Sequence, residues 1–260
     1  MDEDLNDVYE KIIDIDPESE QKSTQVLRHF IDLFLLGMLE EEPSLVLMSP
    51  RVEFLGSYFE GLKICTPNEF DINIVLTLPY DKDDITMTAK NRAGSITSIS
   101  VPTDDTRGLV ATWCNENGKI SARRFRGWMI NLGQRVLHSK KMMNVNGELY
   151  TITLKDTGVA MTAFLADKMD FSISVDVVIA FQFSLPKIPL GCKLNMKAVH
   201  ETDVKTYFLV PISEYDWRSY EYKQTGVPPD VQQCIASRLC THADSLRKRI
   251  DGVHHHIPER

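Results

Sequence analysis

The chain has 260 residues, of which 43% are hydrophobic and 25% are charged, with a formal net charge of -8. This length allows one or two domains with a sizeable core, and the composition excludes disordered, collagen-like and fibrous proteins. No apolar run approaches the ~18–20 residues of a membrane span, and the acidic start Met1–Asp4 differs from the basic start of a signal peptide. The five cysteines are scattered and odd in number, which is typical of reduced thiols. We therefore expect a soluble, cytoplasmic protein without a membrane partner.

The negative charge is concentrated at the N-terminus. Residues 1–20 contain nine acidic residues and one lysine, which leaves equal numbers of acidic and basic residues in the rest of the chain. A surface for nucleic acid would therefore have to be local. One segment fits this description, because Lys119–Lys141 contains seven lysine or arginine residues and no acidic residue.

Residues 1–15 are interpreted as an acidic lead-in, after which a long helix is predicted. The pair Asp16-Pro17 is typical of a helix N-cap and first turn. Apolar residues then recur with a period of 3.6 residues up to about Leu39. A short strand is predicted at Val52–Leu55, followed by a turn at Gly56–Ser57 and a short helix.

The rest of the chain is predicted to form several strands and one further helix. Residues 79–122 are interpreted as short polar pieces, and the helix spans about 121–141 with one apolar face. Its opposite face is basic, and we expect four of its residues to bind nucleic acid: Arg123, Arg124, Arg135 and Lys141. The strands are predicted at 69–78, 159–165, 171–183 and 207–211.

Three carboxylates on the predicted strands are candidate metal ligands. Glu69 and Asp71 are two residues apart, so strand alternation places both on one face. Asp176 is the one acid at the centre of an apolar strand, where a carboxylate needs a charge partner or a metal. Oxygen ligands alone favour Mg²⁺, with Mn²⁺ as a substitute. Because Gly56–Ser57 lies upstream and can hold a phosphate, the pattern predicts a two-metal nucleotidyltransferase site.

Three motifs link this pattern to a particular family: Gly56–Ile64, Pro67–Asp71 and Ile173–Asp176. Together they resemble the cyclic GMP-AMP synthase (cGAS) and cGAS-like receptor family of nucleotidyltransferases. The resemblance implies an α+β fold over residues 16–218, with a mixed sheet, flanking helices and a long N-terminal spine helix. It also implies synthesis of a cyclic dinucleotide from ATP and GTP when a nucleic-acid ligand orders the active site.

The resemblance also implies a role for each matching residue. Glu69, Asp71 and Asp176 would be the catalytic metal ligands, and Gly56 and Ser57 would contact the triphosphate. The pair Trp217-Arg218 begins a family motif in which the arginine contacts a nucleotide base, so Arg218 is a further candidate for nucleotide binding.

Two departures from the family pattern shape the remaining expectations. Residues 219–260 are too few and too different to form the family's helical lobe, so we expect a divergent tail that replaces most of it. The zinc ribbon of DNA-sensing members is missing, and the spacing of Cys234, Cys240 and His254–His256 fits no standard zinc site, so no structural zinc is expected.

Several functional alternatives remain open at this point. The first interpretation is a sensor of double-stranded nucleic acid, with RNA favoured over DNA, which makes a cyclic dinucleotide from ATP and GTP. A template-independent transferase with linear products is a rival. A catalytically weak or inactive member that binds nucleotide or a partner as a regulatory protein is another. Assembly into an oligomer on the ligand is also left open.

Overall fold

The structure is a computed structural model that describes residues 16–59, 67–90, 97–103, 108–158, 160–193 and 205–211. The predicted lead-in at 1–15, Arg218 and the tail at 219–260 lie outside these residues, so the predicted domain boundaries stay predictions. In the described part of the chain, no helix is long and apolar enough to cross a membrane.

The described residues form helices and strands in a mixed order. The helices are α1 (Pro17–Glu41), α2 (Gly56–Phe59), α3 (Leu109–Trp113) and α4 (Ala122–Ser139), with a 3-10 helix at Pro43–Met48. The strands are β1 (Arg51–Leu55), β2 (Glu69–Leu76), β3 (Thr86–Ala89), β4 (Thr97–Ser100), β5 (Met142–Val145), β6 (Glu148–Asp156), β7 (Met161–Ala166), β8 (Ser172–Ser184) and β9 (Thr206–Leu209). The predicted α+β class is confirmed, as are the long N-terminal helix and the predicted strands.

Seven strands form one sheet in the order β1-β2-β8-β7-β6-β5, with β9 paired to β8. The pairs β5–β6, β6–β7, β7–β8 and β8–β9 are antiparallel. The chain divides into two compact units. One comprises the described residues up to Ile74 with Gly127–Ile179, and the other comprises Val75–Arg126 with those from Ala180 onward.

The first unit contains α1, whose ends follow from its sequence. The Asp16 side chain accepts a hydrogen bond from the backbone N–H of Ser19 at 2.9 Å, which satisfies one of the unpaired donors at the helix start. The helix extends two residues beyond the predicted end at Leu39, to Glu41. The residues that the structure buries along it carry the predicted apolar period: Val26, Leu27, Phe30, Ile31, Phe34 and Met38.

Helices α1 and α4 approach closely within this unit. A Cβ atom built on Gly37 of α1 would lie 2.6 Å from the Val136 Cγ1 atom of α4, closer than real side chains pack. The absence of a side chain at Gly37 is therefore what allows this contact. On α4, Met129, Leu132 and Val136 are buried as predicted.

The second unit shows that residues 79–122 were interpreted wrongly as mere polar pieces. They form a two-stranded antiparallel sheet, β3–β4, and the short helix α3. Trp113 at the end of α3 is fully buried against Phe125, with ring centroids 4.7 Å apart. Phe181 completes this cluster at 4.8 Å from Phe125. Packing of Trp113 in this aromatic cluster therefore stabilises α3, a helix too short to show a periodic pattern in the sequence.

Candidate active site

The Gly56–Ser57 turn lies where β1 ends and α2 begins. Gly56 has a φ of +81°, a conformation that residues with a side chain rarely adopt. A Cβ atom at this position would lie 2.0 Å from the Oδ2 atom of Asp71. Glycine is thus required by both the backbone conformation and the carboxylate packed against it. The structure thereby brings together two residues that the sequence analysis assigned to one site.

Tyr58 anchors this turn from its other side. Its hydroxyl donates a hydrogen bond of 2.8 Å to the Oε1 atom of Glu20 in α1. Burial and this bond raise the pKa of Tyr58 above its ordinary value, so the phenol stays protonated. The Tyr58 ring also meets the Phe70 ring edge to face, with centroids 5.1 Å apart. The turn is therefore tied both to α1 and to the strand that carries the acids.

Glu69 and Asp71 lie on one face of β2, as strand alternation predicted. Glu69 is exposed and Asp71 is half-buried, whereas the intervening Phe70 is only 1% exposed. Phe70 faces the core and fixes the rotation of the strand about its axis. Both carboxylates are consequently held on the more open face of the sheet.

Asp176 lies in β8, the neighbour of β2 in the sheet. The Ser174 N–H donates a hydrogen bond of 2.8 Å to the Asn68 carbonyl oxygen, one residue before Glu69. This bond joins the start of β2 to β8 two residues before Asp176. Ser172, Ser174 and Asp176 alternate with buried apolar residues, as predicted. The Asp176 carboxylate accepts a hydrogen bond from the Thr162 hydroxyl of β7.

The structure does not bring the three carboxylates together as a preformed set of metal ligands. Among the described residues, no group of three His, Cys, Asp or Glu side chains is arranged to hold a metal ion. Three like charges repel one another, so close approach requires a cation between them. The donor chemistry nevertheless fits Mg²⁺ or Mn²⁺, since all three groups offer carboxylate oxygens on adjoining strands. Their role as ligands stays a prediction.

The four basic residues predicted to bind nucleic acid differ in their surroundings. Arg123 and Lys141 are exposed. The Arg124 guanidinium donates to the Cys114 carbonyl oxygen, and Arg135 forms an ion pair of 3.1 Å with Glu41 of α1. Part of the basic charge is thus engaged within the protein, which the sequence pattern did not reveal.

A cluster outside the predicted site joins α1 to the start of β6 and to the loop between β7 and β8 within the first unit. The Lys22 ammonium lies 2.9 Å from a Glu148 carboxylate oxygen and 3.2 Å from Asp167. Hydrogen bonds from Tyr150 and Lys22 hold the pKa of Glu148 below its ordinary value. Burial alone would raise the pKa of Asp167, but hydrogen bonds from the Met169 N–H, Lys22 and the Phe171 N–H outweigh it and hold this pKa below its ordinary value. Both acids therefore stay charged beside Lys22 at neutral pH.

The comparisons with known proteins agree with this fold. Residues 58–228 match the family described as "Mab-21 protein nucleotidyltransferase domain". This match covers most of the chain, including Glu69, Asp71, Asp176 and Arg218. The chain belongs to the Mab-21 nucleotidyltransferase family. It is therefore a nucleotidyltransferase by family, a class of enzyme that uses divalent metal ions.

The chain is also similar to several proteins named "Cyclic GMP-AMP synthase-like receptor". The one from Ctenocephalides felis is 24% identical over 199 residues, which are 68% of this chain and 45% of the relative. The protein from Aethina tumida is 21% identical in an alignment of 267 positions, gaps included, which covers 97% of this chain and 66% of the relative. The protein from Tribolium castaneum is 25% identical in an alignment of 204 positions, which covers 72% of this chain and 51% of the relative. The chain thus spans about half to two thirds of the length of these curated relatives, and its resemblance to cGAS-like receptors is confirmed.

Proposed function

We propose that the protein joins ATP and GTP into a cyclic dinucleotide, using Mg²⁺ or Mn²⁺, in response to double-stranded RNA. The observation that carries this proposal is the packing of the Asp71 carboxylate against Gly56. It sets an acidic ligand beside a turn able to hold a phosphate. The names of the cGAS-like relatives support a cyclic dinucleotide as the product and a receptor role.

Each residue of the site has a separate part in this reaction. The Ser57 hydroxyl and the backbone of the turn hold the donor triphosphate, and Arg218 contacts a nucleotide base. Glu69 and Asp71 from β2 and Asp176 from β8 would hold the divalent cations. When bound, divalent cations lower the pKa of that hydroxyl and stabilise the charge on the departing pyrophosphate.

We also propose that RNA binds through its phosphates at the basic residues of α4 and at Lys141, two residues after the helix ends. Arg123 and Lys141 are exposed and able to contact a phosphate directly. Arg135 would exchange its partner Glu41 for a phosphate, an exchange that costs little because an exposed ion pair contributes only about 0–1 kcal/mol. Recognition would follow the shape and backbone of the duplex rather than its base edges. The protein would act in the cytoplasm.

The test is product analysis with the purified chain and labelled ATP and GTP. Reactions contain Mg²⁺ or Mn²⁺ with double-stranded RNA, double-stranded DNA or no nucleic acid. We expect a cyclic product with RNA, less with DNA, and none from Asp176→Asn. The matched control is Asp170→Asn, because Asp170 is exposed and has a φ of +65°, which asparagine adopts readily.

The same experiment separates the alternatives. Linear products would identify a template-independent transferase. Binding of ATP or GTP without any product would favour a regulatory member of the family. Equal activity of Asp176→Asn and the unchanged protein would contradict the assignment of the site.

A further inference from the structure

Thr162 occupies a position that the sequence analysis did not connect with the site. It lies in β7 directly opposite Asp176 of β8 in the antiparallel register. Opposite residues of antiparallel strands project to the same face of the sheet, so the two side chains meet. The Thr162 hydroxyl donates to the Oδ1 atom of Asp176. Thr162 is only 7% exposed, so water does not readily replace this bond.

The hairpin loop between β7 and β8 fixes this pairing. The Asp167 side chain accepts hydrogen bonds from the Met169 N–H at 2.7 Å and the Phe171 N–H at 3.0 Å. Lys22 of α1 holds the same carboxylate. A shift of the register by one residue would break these bonds and turn Thr162 away from Asp176. The contact is therefore specified by the fold of the hairpin.

A second hydroxyl lies beside the first. Thr157 Oγ1 lies 3.1 Å from Thr162 Oγ1 and 3.1 Å from the Ala160 carbonyl oxygen. Thr157 donates its single hydroxyl proton to that carbonyl oxygen, which can only accept. The Thr162 hydroxyl donates its own proton to the Asp176 carboxylate. Thr162 is therefore the residue whose donor orients Asp176.

The neighbouring cation does not take this position. Lys155 lies opposite Thr162 on β6, but its ammonium lies over the Phe164 ring, 4.8 Å from the centroid. Within the described ranges, no ion pair to Asp176 is formed and Thr162 is its hydrogen-bond donor. One carboxylate oxygen is therefore engaged by a neutral donor, which orients the group without neutralising its charge.

We propose that Thr162 is a positioning residue that aims the second oxygen of Asp176 at the catalytic divalent cation. The inference rests on the proposed function, in which Asp176 is a metal ligand. Hydrogen bonds that orient ligating carboxylates commonly contribute a factor of about 10–100 in metal affinity. Thr162 acts through Asp176 and does not itself contact the metal or the substrate.

The test measures Mn²⁺ affinity of the purified chain from the electron paramagnetic resonance signal of free Mn²⁺. Thr162→Val removes the hydroxyl but keeps the shape and the strand preference of the side chain. We expect it to weaken Mn²⁺ binding by about 10–100-fold. Thr162→Ser restores the donor and should return the affinity to near the original value. The matched control is Thr153→Val, an exposed threonine on β6, which should leave the affinity unchanged.

Steady-state kinetics provide a second measurement. Thr162→Val should raise the KM for Mn²⁺ more than it lowers kcat. A merely structural defect would instead lower the reaction rate by the same factor at every Mn²⁺ concentration, saturating ones included. If Thr162→Val does not fold, Thr162→Ala removes the same hydroxyl with a smaller side chain and should also weaken Mn²⁺ binding by about 10–100-fold. Unchanged Mn²⁺ affinity in the folded variant would overturn the inference.

Asp176→Asn distinguishes failure of the inference from failure of the proposed function. Loss of Mn²⁺ binding in Asp176→Asn, together with normal binding in Thr162→Val, would overturn the positioning role alone. Normal Mn²⁺ binding in Asp176→Asn, or no binding by the unchanged protein, would overturn both.

Discussion

Replacement of Gly56 by alanine tests the geometry of the site directly. The new Cβ atom would lie 2.0 Å from the Asp71 Oδ2 atom, and non-bonded atoms of this kind do not approach within about 3 Å. The carboxylate must therefore move by about 1 Å, a displacement that can cost about 100-fold in an active site. In addition, the φ of +81° costs a residue with a side chain about 1–2 kcal/mol. We expect Gly56→Ala to lose most of its Mn²⁺-dependent activity and to melt about 2–8 °C lower.

Gly147→Ala is the matched control for this substitution. Gly147 has a φ of +89°, but a Cβ atom built there meets no heavy atom within 4 Å. It therefore imposes similar backbone strain without displacing a carboxylate. Differential scanning fluorimetry would measure the change in Tm, and titration with Mn²⁺ would measure the affinity of the site for the metal. We expect both variants to lose stability and only Gly56→Ala to bind Mn²⁺ at least tenfold more weakly. Wild-type Mn²⁺ affinity in Gly56→Ala, or an equal loss in Gly147→Ala, would refute the reasoning.

Three further predictions concern the surface, acid stability and helix packing. Glu41→Gln releases Arg135 and should strengthen binding of double-stranded RNA, whereas Arg135→Glu should weaken it and reduce its salt dependence by roughly one counterion; fluorescence anisotropy at several salt concentrations measures both, and indifference to both changes would place the RNA elsewhere. Hydrogen bonds from Tyr150 and Lys22 lower the pKa of Glu148, so these contacts stabilise the fold fully above about pH 4.3 and this stabilisation is lost as the pH falls through the folded-state pKa. Tm should therefore drop on acidification, and less so in Glu148→Gln; the same fall of Tm in both proteins would contradict this. Gly37→Leu should lower the free energy of unfolding by about 1–3 kcal/mol through overpacking between α1 and α4, and an unchanged denaturation midpoint would show that the helices separate freely.

The hairpin β5–β6 shows a signal that was present in the sequence but not used. Asn146 and Gly147 adopt φ values of +52° and +89° between the two strands. The Asn-Gly pair is typical of a two-residue hairpin turn, because both residues tolerate positive φ. Its strands were missed because β5 has only four residues and follows directly after α4. The loop at 167–171 carries a comparable signal in Asp167, whose side chain caps the turn.

The features that could be predicted from the sequence are those that depend on the local order of residues. The 3.6-residue period and the Asp16 cap define α1, and strand alternation alone puts Glu69 and Asp71 on one face. The family motifs also identified the three candidate acids, because each motif is a short continuous run of the chain. Such features need no knowledge of which segments become neighbours.

Contacts between side chains that are distant along the chain depend on how the elements pack, and the sequence did not predict them. Glu40 and Glu41 at the end of α1 pair with Lys140 and Arg135, about a hundred residues further along the chain, so the basic segment is partly neutralised. Thr162 reaches Asp176 only through the register of β7 and β8. Neither contact leaves a periodic trace in the sequence, because each depends on the packing of separate elements. Coulombic attraction and hydrogen bonding act over a few ångströms in space, whatever the separation along the chain.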